Sequence, residues 1–296
     1  MIRKFFSVIQ FNLFFLTALT YFLGLSIAHY LGFQLRWGII IEGLVWIFAI
    51  LISSSYIKSY YEIFFPRIGF QKSGLRPQVE RERGMANIFL LTGIAGLAVS
   101  LIPLMNLFLN GSMKSITLLI FLVIMAVTFS VELFSNQIAT SGLLEFFRAF
   151  SVANLSPAIA FVLLSGDIHR LLFLLTFPLL FIFFALFIIL TLPKIENGEI
   201  DIKYTLLGRL GSVNILRIEN LLVFFTYFVF LFEAILDLPW KLVWPALVVL
   251  PLGLLQVWQV SQILNGKKPS FMPLLFNAYA TACFTTYFII LALWLT

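Results

Sequence analysis

The sequence predicts an all-α, polytopic membrane protein, and three observations carry that prediction. Of the 296 residues, 61% are hydrophobic and only 11% are charged, where a soluble domain carries about 25% charged residues. The mean hydropathy is +1.06. The apolar residues fall into nine runs, each close to the roughly 20 residues that a helix needs to cross the hydrocarbon. A water-soluble globule of this length has no way to hide so much apolar surface, and disorder needs the opposite composition. The 35 Phe, 9 Tyr and 6 Trp suit a surface facing lipid and its interfaces. A lone Cys283 excludes a disulfide framework and any cysteine-cluster metal site.

The first run, residues 8–32, follows Arg3 and Lys4. That basic start, with Ser26-Ile27-Ala28, resembles a secretory signal and its cleavage site, but the apolar stretch is too long for a signal core. It is expected to remain as a span. The second run, 38–64, begins beyond Arg36 and runs into Lys58 and Glu62. The third, 86–109, follows the charged stretch Arg81-Glu82-Arg83, and the fourth, 115–134, follows Lys114. The fifth, 146–166, starts beside Glu145 and carries Arg148, Asn154 and Pro157. The sixth, 171–192, lies between Arg170 and Lys194. The seventh covers 219–237, and the eighth, 242–262, follows Lys241. The ninth, 271–295, follows Lys267 and Lys268. Together they make one integral-membrane domain over residues 1–296.

The net charge of +6 matters less than where the charges sit. With nine spans and a cytoplasmic N-terminus, Arg36, Lys114, Arg170 and Lys241 fall one to each short outer loop. The other 15 of the 19 basic residues fall on the inner side. Basic loops are retained in the cytoplasm during insertion, so the chain is expected in the cytoplasmic membrane, N-in and C-out. Lipid, not nucleic acid, is the large partner this distribution implies. The outer connections are short, whereas the inner connections 65–85 and 193–218 are long and mixed in charge. They follow spans two and six, a spacing that hints at two four-helix units.

Ionisable groups at membrane depth usually face a bundle interior or a cavity. Glu62, Glu132, Glu145 and Arg148 lie at inner ends of spans. Glu145 and Arg148, three residues apart, are expected to pair on one helix face. Glu233 and Asp237 near an outer end read as solvated or paired, and His29 alone makes no metal site. Gln256, Gln259 and Gln262 form a stripe whose amides would be unsatisfied in lipid, so they are expected to face other helices. In Pro193–Lys203, the acids Glu196, Glu199 and Asp201 interleave with Lys194 and Lys203. Carboxylates at such spacing can hold Mg²⁺, and basic neighbours can contact phosphate. Composition alone favours an ordinary solvated loop.

At this loop the sequence begins to resemble the UbiA superfamily of intramembrane aromatic prenyltransferases. Lys203 followed by Thr205-Leu206-Leu207-Gly208-Arg209-Leu210-Gly211 resembles that family's segment after its second aspartate motif. Gly142-Leu143-Leu144-Glu145-Phe146-Phe147 is similar to its LGE segment, and Arg76-Pro77 sits where an RP pair follows the first aspartate motif. Nine helices, N-in, with long inner loops after spans two and six, is also the family's layout.

The resemblance implies that a prenyl diphosphate, held through Mg²⁺, loses its diphosphate to leave an allylic cation. A lipophilic aromatic or quinone-precursor acceptor then attacks that cation. It also implies a hydrophobic tunnel for the isoprenoid tail. The sequence departs from the family at the chemistry itself. Where the first motif would fall, on Lys58–Pro66, only Glu62 keeps an acid, and the second motif falls on Lys194 and Gly198. The expected metal ligands are therefore Glu62, Glu196, Glu199 and Asp201, holding fewer Mg²⁺ ions than the family's two, or none. The expected diphosphate cations are Lys58, Arg76, Lys194, Lys203 and Arg209. Lysine binds phosphate as a point charge without a metal. The alternative is a catalytically inactive relative that binds an isoprenoid, a quinone or a partner enzyme.

Overall fold

A computed structural model describes residues 11–64, 76–110, 115–133, 143–196, 205–236, 238–267 and 270–296. Every regular element among them is helical: α1 (Phe11–Tyr30), α2 (Trp37–Phe64), α3 (Arg76–Leu109), α4 (Ser115–Leu133), α5 (Leu144–Phe150), a π-helical turn (Ser151–Leu155), α6 (Ser156–Ser165), α7 (Arg170–Glu196), α8 (Leu206–Leu210), α9 (Ser212–Leu236), α10 (Trp240–Leu247), α11 (Leu250–Leu264) and α12 (Phe271–Leu295). Helix is the form these apolar runs must take in lipid, because it satisfies every backbone group within the segment. Among the described residues, seven helical segments are long and apolar enough to cross a membrane, and the bent pair α10–α11, counted as one span, brings the number to eight. The apolar part of α4, Ile116–Ser130, is shorter than the others. The chain is an integral membrane protein.

The helices overrun the predicted spans in three places, each for a physical reason. The connection expected over 65–85 is helical from Arg76, so the charged Arg76–Arg83 stretch lengthens α3 by about 12 Å at 1.5 Å per residue. Pro77 sits in its first turn, where a missing N–H costs nothing. The connection expected over 193–218 holds the end of α7, all of α8 and the start of α9. α9 begins at Ser212, not near 219, which moves Glu219 to its eighth residue, inside the bundle.

Two spans are broken. Pro157 has no N–H to offer the carbonyl of Ala153, and the helix widens into the π turn just before it. There the Asn154 amide donates to Thr176 Oγ1 on α7, 3.3 Å away. Pro251 likewise has no N–H for the Leu247 carbonyl, and α10 and α11 meet at 40°.

Association in lipid relies on close packing and interhelical hydrogen bonds, not on hiding apolar surface from water. α1 is central and touches α2, α6, α7, α12 and the π turn. Its Gly24 lies against the Pro157 backbone of α6, and Ser156 Oγ donates to the Thr17 carbonyl at 2.9 Å. Tyr21 Oη reaches the Ile40 carbonyl of α2 at 2.9 Å. α3 lies along α2, with Gly93 facing Ile57 and Gly96 facing Ser53.

The other end of α1 is tied to the last helix. Trp294 Nε1 donates to Ser26 Oγ at 2.9 Å, and the Trp294 ring stacks on His29 at 4.2 Å. Ser26, Ile27 and Ala28 are buried, so the stretch resembling a cleavage site forms part of the bundle interior. Ser26→Ala leaves the indole N–H without its acceptor. It is expected to lower stability by about 1 kcal/mol, read as a shifted denaturation midpoint with a change in tryptophan emission.

Candidate functional site

The fifth span places its polar residues at one end of the bundle. α5 opens with Glu145, which is 3% exposed. Its carboxylate faces its own N–H and that of Leu206, the first residue of α8, and the Arg148 guanidinium lies close enough to act on its charge. Glu145 and Arg148 thus lie near each other, as the spacing implied, and interact through their charges, with no ion-pair contact between them among the described residues. The α8 N-terminus is capped twice. Thr205 Oγ1 accepts from the Gly208 N–H at 3.3 Å, and Glu145 takes the Leu206 N–H. Both answer donors that a helix start leaves without intrahelical partners, and a carboxylate there also meets the positive end of the peptide dipoles. Gly211 then takes a φ of +82°, a left-handed conformation that suits glycine, and α9 begins.

One turn further along, Arg148 lines a cavity of about 40 Å³. Its walls come from Leu13 and Thr17 of α1, Ile47, Ile50 and Leu51 of α2, Ile124 and Thr128 of α4, and Ser151, Val152 and Ser156 of the broken fifth span. One side is hydrocarbon and the other carries a guanidinium and four hydroxyls. Such a lining suits an amphiphile with an anionic or strongly polar group beside an apolar chain. The volume itself holds little more than a water or two, so it marks the polar end of a site and is no tunnel for an isoprenoid.

The residues singled out as diphosphate or metal contacts are placed unevenly. Lys58 is half-buried in α2, and Arg209 is exposed on α8; both have partners in the structure. Glu196 is exposed in the last turn of α7. Glu62 lies near the end of α2, Arg76 opens α3 and Lys194 is in the last turn of α7, but their side chains fall outside the described ones. Glu199, Asp201 and Lys203 lie outside the described residues altogether. Among the described residues, no three His, Cys, Asp or Glu side chains gather as a metal would need. α2 and α7 do not lie side by side along their lengths; α1 and α6 touch both.

The structure adds polar residues that the sequence did not single out. Glu219 of α9 is fully buried and accepts a hydrogen bond from Gln256 Nε2 of α11. Asn220 Nδ2 faces Ser261 Oγ at 3.4 Å, and Asn277 Nδ2 faces Gln259 Oε1 at 3.4 Å. Gln256 and Gln259 thus face other helices, as a stripe of amides in lipid must. Glu219 was hidden because it stands next to charged Arg217 in sequence, where a span boundary is the natural reading. The signal available was its partner stripe, three amides at intervals of three. Glu233, expected with Asp237 to be solvated or paired, is only 6% exposed, and its Oε2 has no hydrogen-bond partner among the described residues; Asp237 lies outside them. No family model matches this chain, and no curated protein matches it.

Proposed function

We propose that the chain is a divergent relative of the UbiA superfamily that transfers a prenyl group from a prenyl diphosphate to a lipophilic acceptor within the membrane. In this reading there are nine spans with the N-terminus in the cytoplasm, and the polar end beside Glu145 and Arg148 faces that side. One contact carries it: the Glu145 carboxylate at the Leu206 N–H joins the two segments on which the resemblance rests, beside an amphiphilic cavity. Arg148 would hold a phosphate oxygen, and the hydroxyls of Ser151 and Thr17 would orient the first polar atoms of the ligand. Transfer breaks the allylic C–O bond, the electron pair leaving with diphosphate, and the acceptor carbon then bonds the allylic carbon and sheds a proton. In this reading Glu62, Glu196, Glu199 and Asp201 would supply carboxylate oxygens to Mg²⁺, which would neutralise the departing diphosphate.

The assay is transfer by the protein in lipid nanodiscs across prenyl diphosphates of several lengths and a panel of aromatic acceptors, with Mg²⁺ and with chelator. Product formation is expected, and Arg148→Met is expected to lower kcat/KM about tenfold or more, the loss of one hydrogen bond to a charged group. Binding of prenyl diphosphate without transfer under any condition would favour the catalytically inactive binder. Neither binding nor transfer would end the reading.

A further inference from the structure

Glu219 and Gln256 present a pattern that a single proton completes. Glu219 is 0% exposed and Gln256 is 1% exposed, about 10 Å along α9 from its first residue. Gln256 Nε2 donates to Glu219 Oε1. The other oxygen of each group, Glu219 Oε2 and Gln256 Oε1, is buried with no hydrogen-bond partner among the described residues. Both are acceptors, so they need something that donates.

Among the described residues, the surroundings offer no counter-charge. α9 packs against α7, α8, α10 and α11. α11 contains no Asp, Glu, Lys, Arg or His, and neither does α12 beyond it, whose titrating groups are Tyr279, Cys283 and Tyr287. α7 carries Arg170 at its start and Lys194 and Glu196 in its last turn; α10 carries Lys241 at its start. Arg209 of α8 and Arg217 of α9 are exposed, and Tyr227 and Glu233 lie further along α9. An ionised carboxylate buried without a positive partner is strongly disfavoured. A water molecule between the two oxygens would satisfy both and leave the charge in place.

We propose that Glu219 and Gln256 form an intramembrane proton-binding site, with Glu219 held as the neutral acid. Its Oε2–H donates to Gln256 Oε1 while Gln256 Nε2–H donates to Glu219 Oε1, closing a ring of two hydrogen bonds between α9 and α11. The neighbouring polar row gives the proton its route. Asn220 meets Ser261, and Ser261 and Gln262 are half-buried near the end of α11. The amide stripe thus lines the way from the acid to that helix end.

Infrared spectra of the full chain in nanodiscs at neutral pH, in H₂O and D₂O, test this. A hydrogen-bonded carboxylic acid C=O band that shifts on deuteration is expected, and Glu219→Gln should remove one acid's worth of it. Gln256→Leu should keep the band but move it to higher frequency, because the ring is opened. Loss of the ionised-carboxylate bands in Glu219→Gln, with the acid band intact, would overturn the proposal. So would an unmoved acid band in Gln256→Leu, or a wild-type spectrum with no acid band. If one variant does not fold, as read by size-exclusion chromatography, the other still decides.

Discussion

Replacing Gly24 with valine is expected to unseat α1 from α6 and cost about 3 kcal/mol or more. Even a single Cβ on residue 24 would run into the carbonyl of Pro157. That neighbour is backbone, fixed by the helix on one side and the π turn on the other, so it cannot swing aside as a flexible side chain would. Overpacking commonly costs about 1–3 kcal/mol, and this site lies at the upper end because no rotamer relieves it. The loss propagates, because the same interface holds the Ser156–Thr17 bond and one wall of the Arg148 cavity. Gly38→Ala is the control. A Cβ there meets nothing within 4 Å and the residue is exposed at the start of α2, so its effect should stay within about 1 kcal/mol. Thermal unfolding of both variants in the same detergent checks the contrast; equal midpoints would refute the assigned contact.

Glu145→Ala should be the second large effect. It removes the acceptor of the Leu206 N–H and the carboxylate beside Arg148 in one step. Leaving a buried donor without its acceptor costs about 1–3 kcal/mol, and the half-buried Arg148 also loses a nearby opposite charge, so about 2–3 kcal/mol is expected. The change should be local as well as global, with hydrogen exchange accelerating over Leu206–Leu210 while the centre of α7 stays protected. Glu145→Gln separates the two contributions. Its amide oxygen still accepts from Leu206, so α8 should keep its protection while the charge contribution is lost. Unchanged exchange at α8 in the alanine variant would show that Glu145 does not hold that helix.

Apolar helices were legible in the sequence because crossing hydrocarbon is a one-dimensional demand, a run of apolar residues of sufficient length; of the nine expected spans, the described residues show seven, or eight with the bent pair, and the apolar part of α4 is shorter. Most boundaries were legible for the same reason, since a charge marks where lipid ends. The reading failed where charged residues continue a helix past the lipid, as in Arg76–Arg83, and where an acid lies deep inside it, as with Glu219. At both, local composition says boundary while tertiary surroundings decide otherwise. The candidate site was legible only in fragments. Glu145 and Arg148 stood out as costly groups, and their pairing followed from helical spacing. Their neighbour Leu206 did not, because no local rule links the start of span five to a short helix after span six.

The sequence by itself determined that this is an integral membrane protein of apolar helices, with charged stretches between them. Hydrophobicity and charge act residue by residue, and the order of residues suffices to reveal them. Only the tertiary structure decided which polar groups meet: Glu219 with Gln256 across 37 residues, Glu145 with the start of α8, and Arg148 in one cavity lining with hydroxyls of α1, α4 and the π turn. In lipid a polar group must find its partner on another helix or go without, and which helix lies opposite is a property of packing.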